Sequence, residues 1–108
     1  MSAIFHVNED EVEWSTYAND GGPTPIRFKA LTYGAKGVPS MQYIEYAPGH
    51  ADSVHQHDVG EFFIVMSGEL WLDEEKAGPG GVFFIPANTD YAVRAGAEGA
   101  RYFRVVTG

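Results

Sequence analysis

The sequence predicts a single all-β domain of barrel or sandwich type, on three observations. Seven short runs are rich in β-branched and aromatic residues, each run is bounded by Gly, Pro, Asn or Asp, and no window of a dozen residues carries a 3.6-residue period. A length of 108 residues allows one hydrophobic core and not two, so residues 1–108 are taken as one domain.

The elements follow in order. Residues 1–23 form an amino-terminal strand or arm: an apolar start, Ile4 to Val7, then the acidic stretch Asn8 to Glu13, closed by Gly21-Gly22-Pro23. The strand candidates are Ile26 to Tyr33, Met41 to Tyr46, Glu61 to Met66, Glu69 to Leu72, Val82 to Ile85, Tyr91 to Arg94 and Tyr102 to Val106. Gly78-Pro79-Gly80-Gly81 is the strongest turn signal, because glycine supplies positive φ and proline fixes its own φ. Asp73-Glu74-Glu75 reads as a solvated turn. The run 61–66 is apolar on both faces, which sets it between the barrel interior and a neighbouring layer or subunit and suggests a homodimer.

Composition narrows the chemistry. Hydrophobic residues make up 44% and aromatic residues 14%, enough for a packed core without disulfides. With no cysteine, His and carboxylates are the only strong metal-ligand types. Seven basic residues against fifteen acidic ones give a formal charge of −8, which argues against nucleic acid or an anionic membrane as partner. No stretch approaches the ~20 apolar residues of a membrane span. The amino end lacks a basic region followed by an apolar run, so a cytoplasmic location is expected.

Between Gly49 and Gly68 the chain reads GHADSVHQHDVGEFFIVMSG. Residues two apart in a strand face the same way, so His55 and His57 can point at one place while Gln56 faces away. The turn-like Asp58-Val59-Gly60 would then fold Glu61 back beside them. Two imidazoles and a carboxylate make a set for one divalent ion with open positions, a pattern typical of non-haem Fe(II) and compatible with Mn, Ni, Co or Zn. Tyr91 is a candidate ligand, acid or base, or filler. Tyr43 and Phe63 are candidates for a pocket wall, with core packing as their alternative. His50, in the loop before the clamp, is a candidate for the pocket rim, with a surface position as its alternative.

The spacing Gly49, five residues, His55-x-His57, three residues, Glu61, six residues, Gly68 resembles the first cupin motif at every fixed position. Gly80, five residues and Pro86 resemble the second, but Asn88 stands where that pattern has glycine, Tyr91 where it has a metal histidine and Ala95 where it has asparagine. The resemblance covers residues 40–106 and implies a small double-stranded β-helix barrel, jelly-roll-like, with a metal near one mouth. The resemblance does not imply one function; the three intact ligands, a facial set suited to Fe(II), favour a metal-dependent, dioxygenase-like enzyme on a small organic molecule, with His55, His57 and Glu61 holding the ion and Tyr91 assisting. A non-catalytic module binding a sugar or other metabolite, and a non-redox isomerase or lyase, remain as alternatives.

Overall fold

The computed structural model describes residues 4–34 and 38–107; residues 1–3 of the expected arm lie outside that range. A single-turn 3-10 helix, Glu9–Glu11, precedes seven strands: β1 Ser15–Asn19, β2 Gly22–Tyr33, β3 Ser40–Tyr46, β4 Glu61–Leu72, β5 Glu75–Ala77, β6 Val82–Ile85 and β7 Val93–Val106. They form one antiparallel sheet in the order β1-β2-β3-β7-β4-β5, with β6 added to β4. Among the described residues no helix is long and apolar enough to cross a membrane.

Two pairs of expected strands are continuous. The runs 61–66 and 69–72 are one strand, because the bulges flanking Gly68 let β4 stay paired with β7 on either side of it. The runs 91–94 and 102–106 likewise join in β7, except that Tyr91 stays outside it in an isolated bridge to His55. β1 lies inside residues 1–23, expected as a strand or arm, but its bounds were not legible: all five of its residues are exposed and it pairs only with β2, so it carries no burial pattern to read.

The core gathers Ile44, Tyr46, Phe63, Val65, Leu70, Leu72, Ile85, Val93 and Tyr102 from β3, β4, β6 and β7. Val65 and Leu70 are fully shielded, each burial stabilising the fold by about 1.5–3 kcal/mol. Along β4 the two-residue period puts Glu61, Phe63 and Val65 inward, while Phe62 and Met66 stay exposed with Val82 and Phe84 of β6. No layer of the described residues covers that outer face, for which the sequence predicted a neighbouring layer or a subunit.

On β3 the same alternation sends Ile44 and Tyr46 inward and Tyr43 outward. Tyr43 stacks between Trp14 of the amino-terminal arm and Phe103 of β7, at centroid distances of 5.6 and 4.7 Å. The Trp14 ring also lies 4.7 Å from both Arg27 and Lys29 and 5.3 Å from Arg101. Buried Lys29 is in turn paired with the Glu9 carboxylate at 2.7 Å, which ties the 3-10 turn to the barrel wall. Trp71, on β4, is covered in the same manner by Arg94 and Lys76.

Candidate functional site

The segment between β3 and β4 is extended but joins no full strand. It is fixed to the chain before β7 by a mutual pair of backbone hydrogen bonds, His55 N to Tyr91 O at 3.0 Å and Tyr91 N to His55 O at 2.9 Å. Asn88 N adds a third, to His57 O at 2.7 Å. Exposure follows the expected period of two: His55 and His57 are half-buried, while Val54, Gln56 and Asp58 are exposed. Gln56 faces away and donates to Asp90 at 2.9 Å. The two imidazoles meet edge to face, with centroids 5.2 Å apart. Asn88 has φ 61°, so it supplies the left-handed turn where the motif has glycine; asparagine tolerates that region better than most residues.

His55 Nδ1 lies 3.0 Å from the Ser53 carbonyl. A carbonyl can only accept, so Nδ1 carries a proton, and in the neutral imidazole Nε2 then keeps its lone pair. The Tyr91 ring packs 4.6 Å from His55 and 6.3 Å from His57, which brings the expected assistant beside both imidazoles.

Glu61 has 0% exposure. Both of its oxygens are occupied: Tyr91 Oη donates to Oε1 at 2.9 Å, and Arg104 Nε donates to Oε2. Arg104 reaches it from β7, where it lies opposite Phe63, two residues along β4 from Glu61 on the same face. A second Arg104 nitrogen, Nη1, donates to Gln42 Oε1 of β3 at 3.2 Å. Burial pushes the Tyr91 phenol well above its usual range, and the neighbouring Glu61 carboxylate pushes it further, so Tyr91 is a neutral donor.

These groups border a cavity of about 820 Å³, with His55, His57, Tyr91 and Arg104 on its polar side and Phe28 and Phe63 on its apolar side. Phe63 is thus both core and pocket wall. Tyr43 does not line the cavity; its place on the outer face corrects that expectation, because it differs by one residue in phase from the inward Gln42, Ile44 and Tyr46. His50 does line it, half-buried, with Nε2 3.0 Å from Asp52 Oδ1, and the Tyr46 hydroxyl donates to Asp52 Oδ2.

Arg104, Gln42, Asp52 and Tyr46 were not singled out from the sequence as site residues. A signal for one of them existed: Arg104 interrupts an otherwise apolar and aromatic run, Tyr102 to Val106, in phase with inward Tyr102.

In kind, two imidazoles and a carboxylate suit a divalent ion, and the His55 tautomer suits it too. In arrangement the third donor does not. Glu61 is engaged by a phenol and a guanidinium, and among the described residues no three His, Asp or Glu side chains are grouped closely enough to hold an ion. As arranged, the residues do not fit a three-ligand centre.

Comparison with known structures places the fold. The chain is similar to the polyketide cyclase RemF of Streptomyces resistomycificus, at 20% identity and a TM-score of 0.80, over 95% of this chain and 78% of that one. An RmlC-like cupin of Shewanella frigidimarina matches at 18% identity and 0.75, over 96% and 90%. Another from Ralstonia eutropha matches at 16% and 0.82, over 96% and 68%. At these identities the likeness concerns the fold alone. Comparison with curated protein sequences gives no match. The family model described as a cupin domain matches residues 42–106, the stretch that holds the clamp, Glu61, Tyr91 and Arg104, and the chain therefore belongs to the cupin domain family.

Proposed function

We propose that this cupin domain takes a small organic molecule into the barrel cavity and acts on it there by proton transfer, as a non-redox isomerase or lyase does. The observation that carries the reading is the fully buried Glu61 carboxylate, held by Tyr91 and Arg104 beside the cavity. Burying such a charge costs several kcal/mol before its partners offset it, and an apolar residue would pack a barrel at less cost. The groups around it are equipment for chemistry at a carbonyl compound. Among the described residues Arg104 keeps one uncommitted nitrogen, Nη2, as a donor for an oxygen, Tyr91 holds its single phenolic proton on Glu61, and in the neutral imidazole the His55 Nε2 lone pair is a proton acceptor. The cavity volume falls within the ~300–1,000 Å³ usual for small-molecule sites.

A second reading keeps a divalent ion, iron or else Mn, Ni, Co or Zn, on His55, His57 and Glu61 for dioxygenase-like chemistry. It is favoured by the His55 tautomer, and it requires Glu61 to exchange its present partners for the ion. Elemental analysis of protein purified without a polyhistidine tag, followed by a turnover screen of small carbonyl compounds in a chelator, separates the two. The first reading expects turnover that survives the chelator and that Tyr91→Phe reduces at least tenfold in protein that remains folded, with some loss of melting temperature from the unpartnered Glu61 oxygen. A stoichiometric metal whose removal abolishes turnover would replace it with the second. Bound compounds that are never converted would leave a non-catalytic binding module.

The homodimer is proposed on the exposed Phe62, Met66, Val82 and Phe84 face. Sedimentation should show a dimer that Phe84→Glu converts to monomer. A monomeric parent protein would end that proposal.

A further inference from the structure

Glu61 is an anion sealed in the barrel, so its neutralisation must come from within the protein or from a bound ion. Here it comes from within. Arg104 Nε donates to Oε2, Tyr91 donates to Oε1 at 2.9 Å, and Gln42 holds Arg104 from the other side at 3.2 Å through Nη1. No hydrogen bond among the described residues uses Arg104 Nη2, and the Arg104 side chain borders the cavity with 19% exposure. Guanidinium suits this post because it keeps its charge when desolvated and offers five N–H bonds in a fixed fork. A dication binding Glu61 would have to displace Arg104 and would repel it at short range in a poorly screened site.

We propose that Arg104 is the resident cation of this cavity: it neutralises Glu61 in place of a metal ion and turns its remaining N–H donors toward an oxygen of the bound molecule. The second half rests on the small-molecule reading above. The chemistry also selects the ligand class. Glu61 already cancels the Arg104 charge, and Asp52 is a further carboxylate on the cavity wall. The oxygen recognised is therefore that of a neutral carbonyl or amide, and phosphate esters are disfavoured.

Zinc titrations of metal-free protein test the first half. The His55 and His57 pair should give the parent protein weak zinc binding, and Glu61→Gln should leave that affinity within twofold. Arg104→Met should tighten zinc binding at least tenfold by releasing Glu61, and Glu61→Gln in the Arg104→Met background should abolish the gain. An affinity that falls tenfold or more in Glu61→Gln alone would overturn the proposal even if Arg104→Met failed to fold, and so would a folded Arg104→Met with no gain. The Arg104 Nε–H resonance of the parent protein should persist with zinc present; its loss would count against the resident cation.

Benzamide and phenyl phosphate, added separately, test the second half through the Arg104 side-chain resonances. Benzamide should shift them and phenyl phosphate should not. The reverse order would overturn the ligand class. Shifts of cavity residues such as Phe63 that leave Arg104 unmoved would overturn its donor role while sparing the small-molecule reading. No shift anywhere with either probe would count against that reading itself, and the zinc titration would decide the resident cation separately.

Discussion

Arg104→Met should lower the free energy of unfolding by about 3–5 kcal/mol, the cost of stripping a buried carboxylate of its cation. The magnitude rests on Glu61 having 0% exposure, so water cannot replace the guanidinium, and Tyr91 alone supplies a neutral hydrogen bond. The double variant Glu61→Gln with Arg104→Met should recover more than half of the loss, because it removes the charge that needed a partner. Urea unfolding of the four proteins measures the cycle. Equal losses for the single and double variants would show that Arg104 acts through its packing rather than its charge.

Gly68→Ala should be comparably damaging for a different reason. The added Cβ would sit 2.0 Å from the Gly99 carbonyl oxygen and 3.0 Å from Ala100 Cα, both backbone atoms of β7 that cannot swing aside. The residue also has φ 72°, where an L side chain costs about 1–2 kcal/mol by itself. Together these should cost about 3 kcal/mol or more, with β4 and β7 forced apart at their bulge. Gly49→Ala is the control: its φ is 71°, but nothing lies within 4 Å of the new Cβ, so only the backbone strain applies. Equal unfolding free energies for the two variants would show that the close approach of β4 to β7 does not constrain residue 68.

Much of this fold was legible because burial writes period-two patterns. His55 and His57 on one face, Gln56 on the other, and inward Phe63 all follow from that rule. Tyr43 obeys it too, facing opposite to Ile44 and Tyr46, but its face was not legible because an aromatic residue fits either side of a strand and the Trp14 ring that covers it comes from a segment with no pattern of its own. β4 and β7 were each divided at a glycine-containing stretch, since a bulge and a turn use the same residues. Glu61 and Tyr91 were both found as site residues, but their pairing was not, and Arg104 was missed. Both Arg104 and Tyr91 lie far along the chain from it, and local spacing reports nothing about a pairing made across strands. The carboxylate was legible as a strong ligand; what it binds was not.

β7 is hydrogen-bonded along both edges, to β3 through Ser40–Tyr46 and to β4 from Glu61 to Leu72. It is also the last of the seven strands in chain order. Until residues 93–106 exist, β3 and β4 have no common neighbour, and two hydrophobic sheet edges stay open in the nascent chain. Closing the β3 edge joins residues some sixty positions apart, as in the Met41–Val105 pair, so loop closure must precede any reward from pairing. Folding of this domain should therefore wait until β7 has been made and then proceed in milliseconds to seconds. Chains truncated within β7 would be the ones that require chaperones.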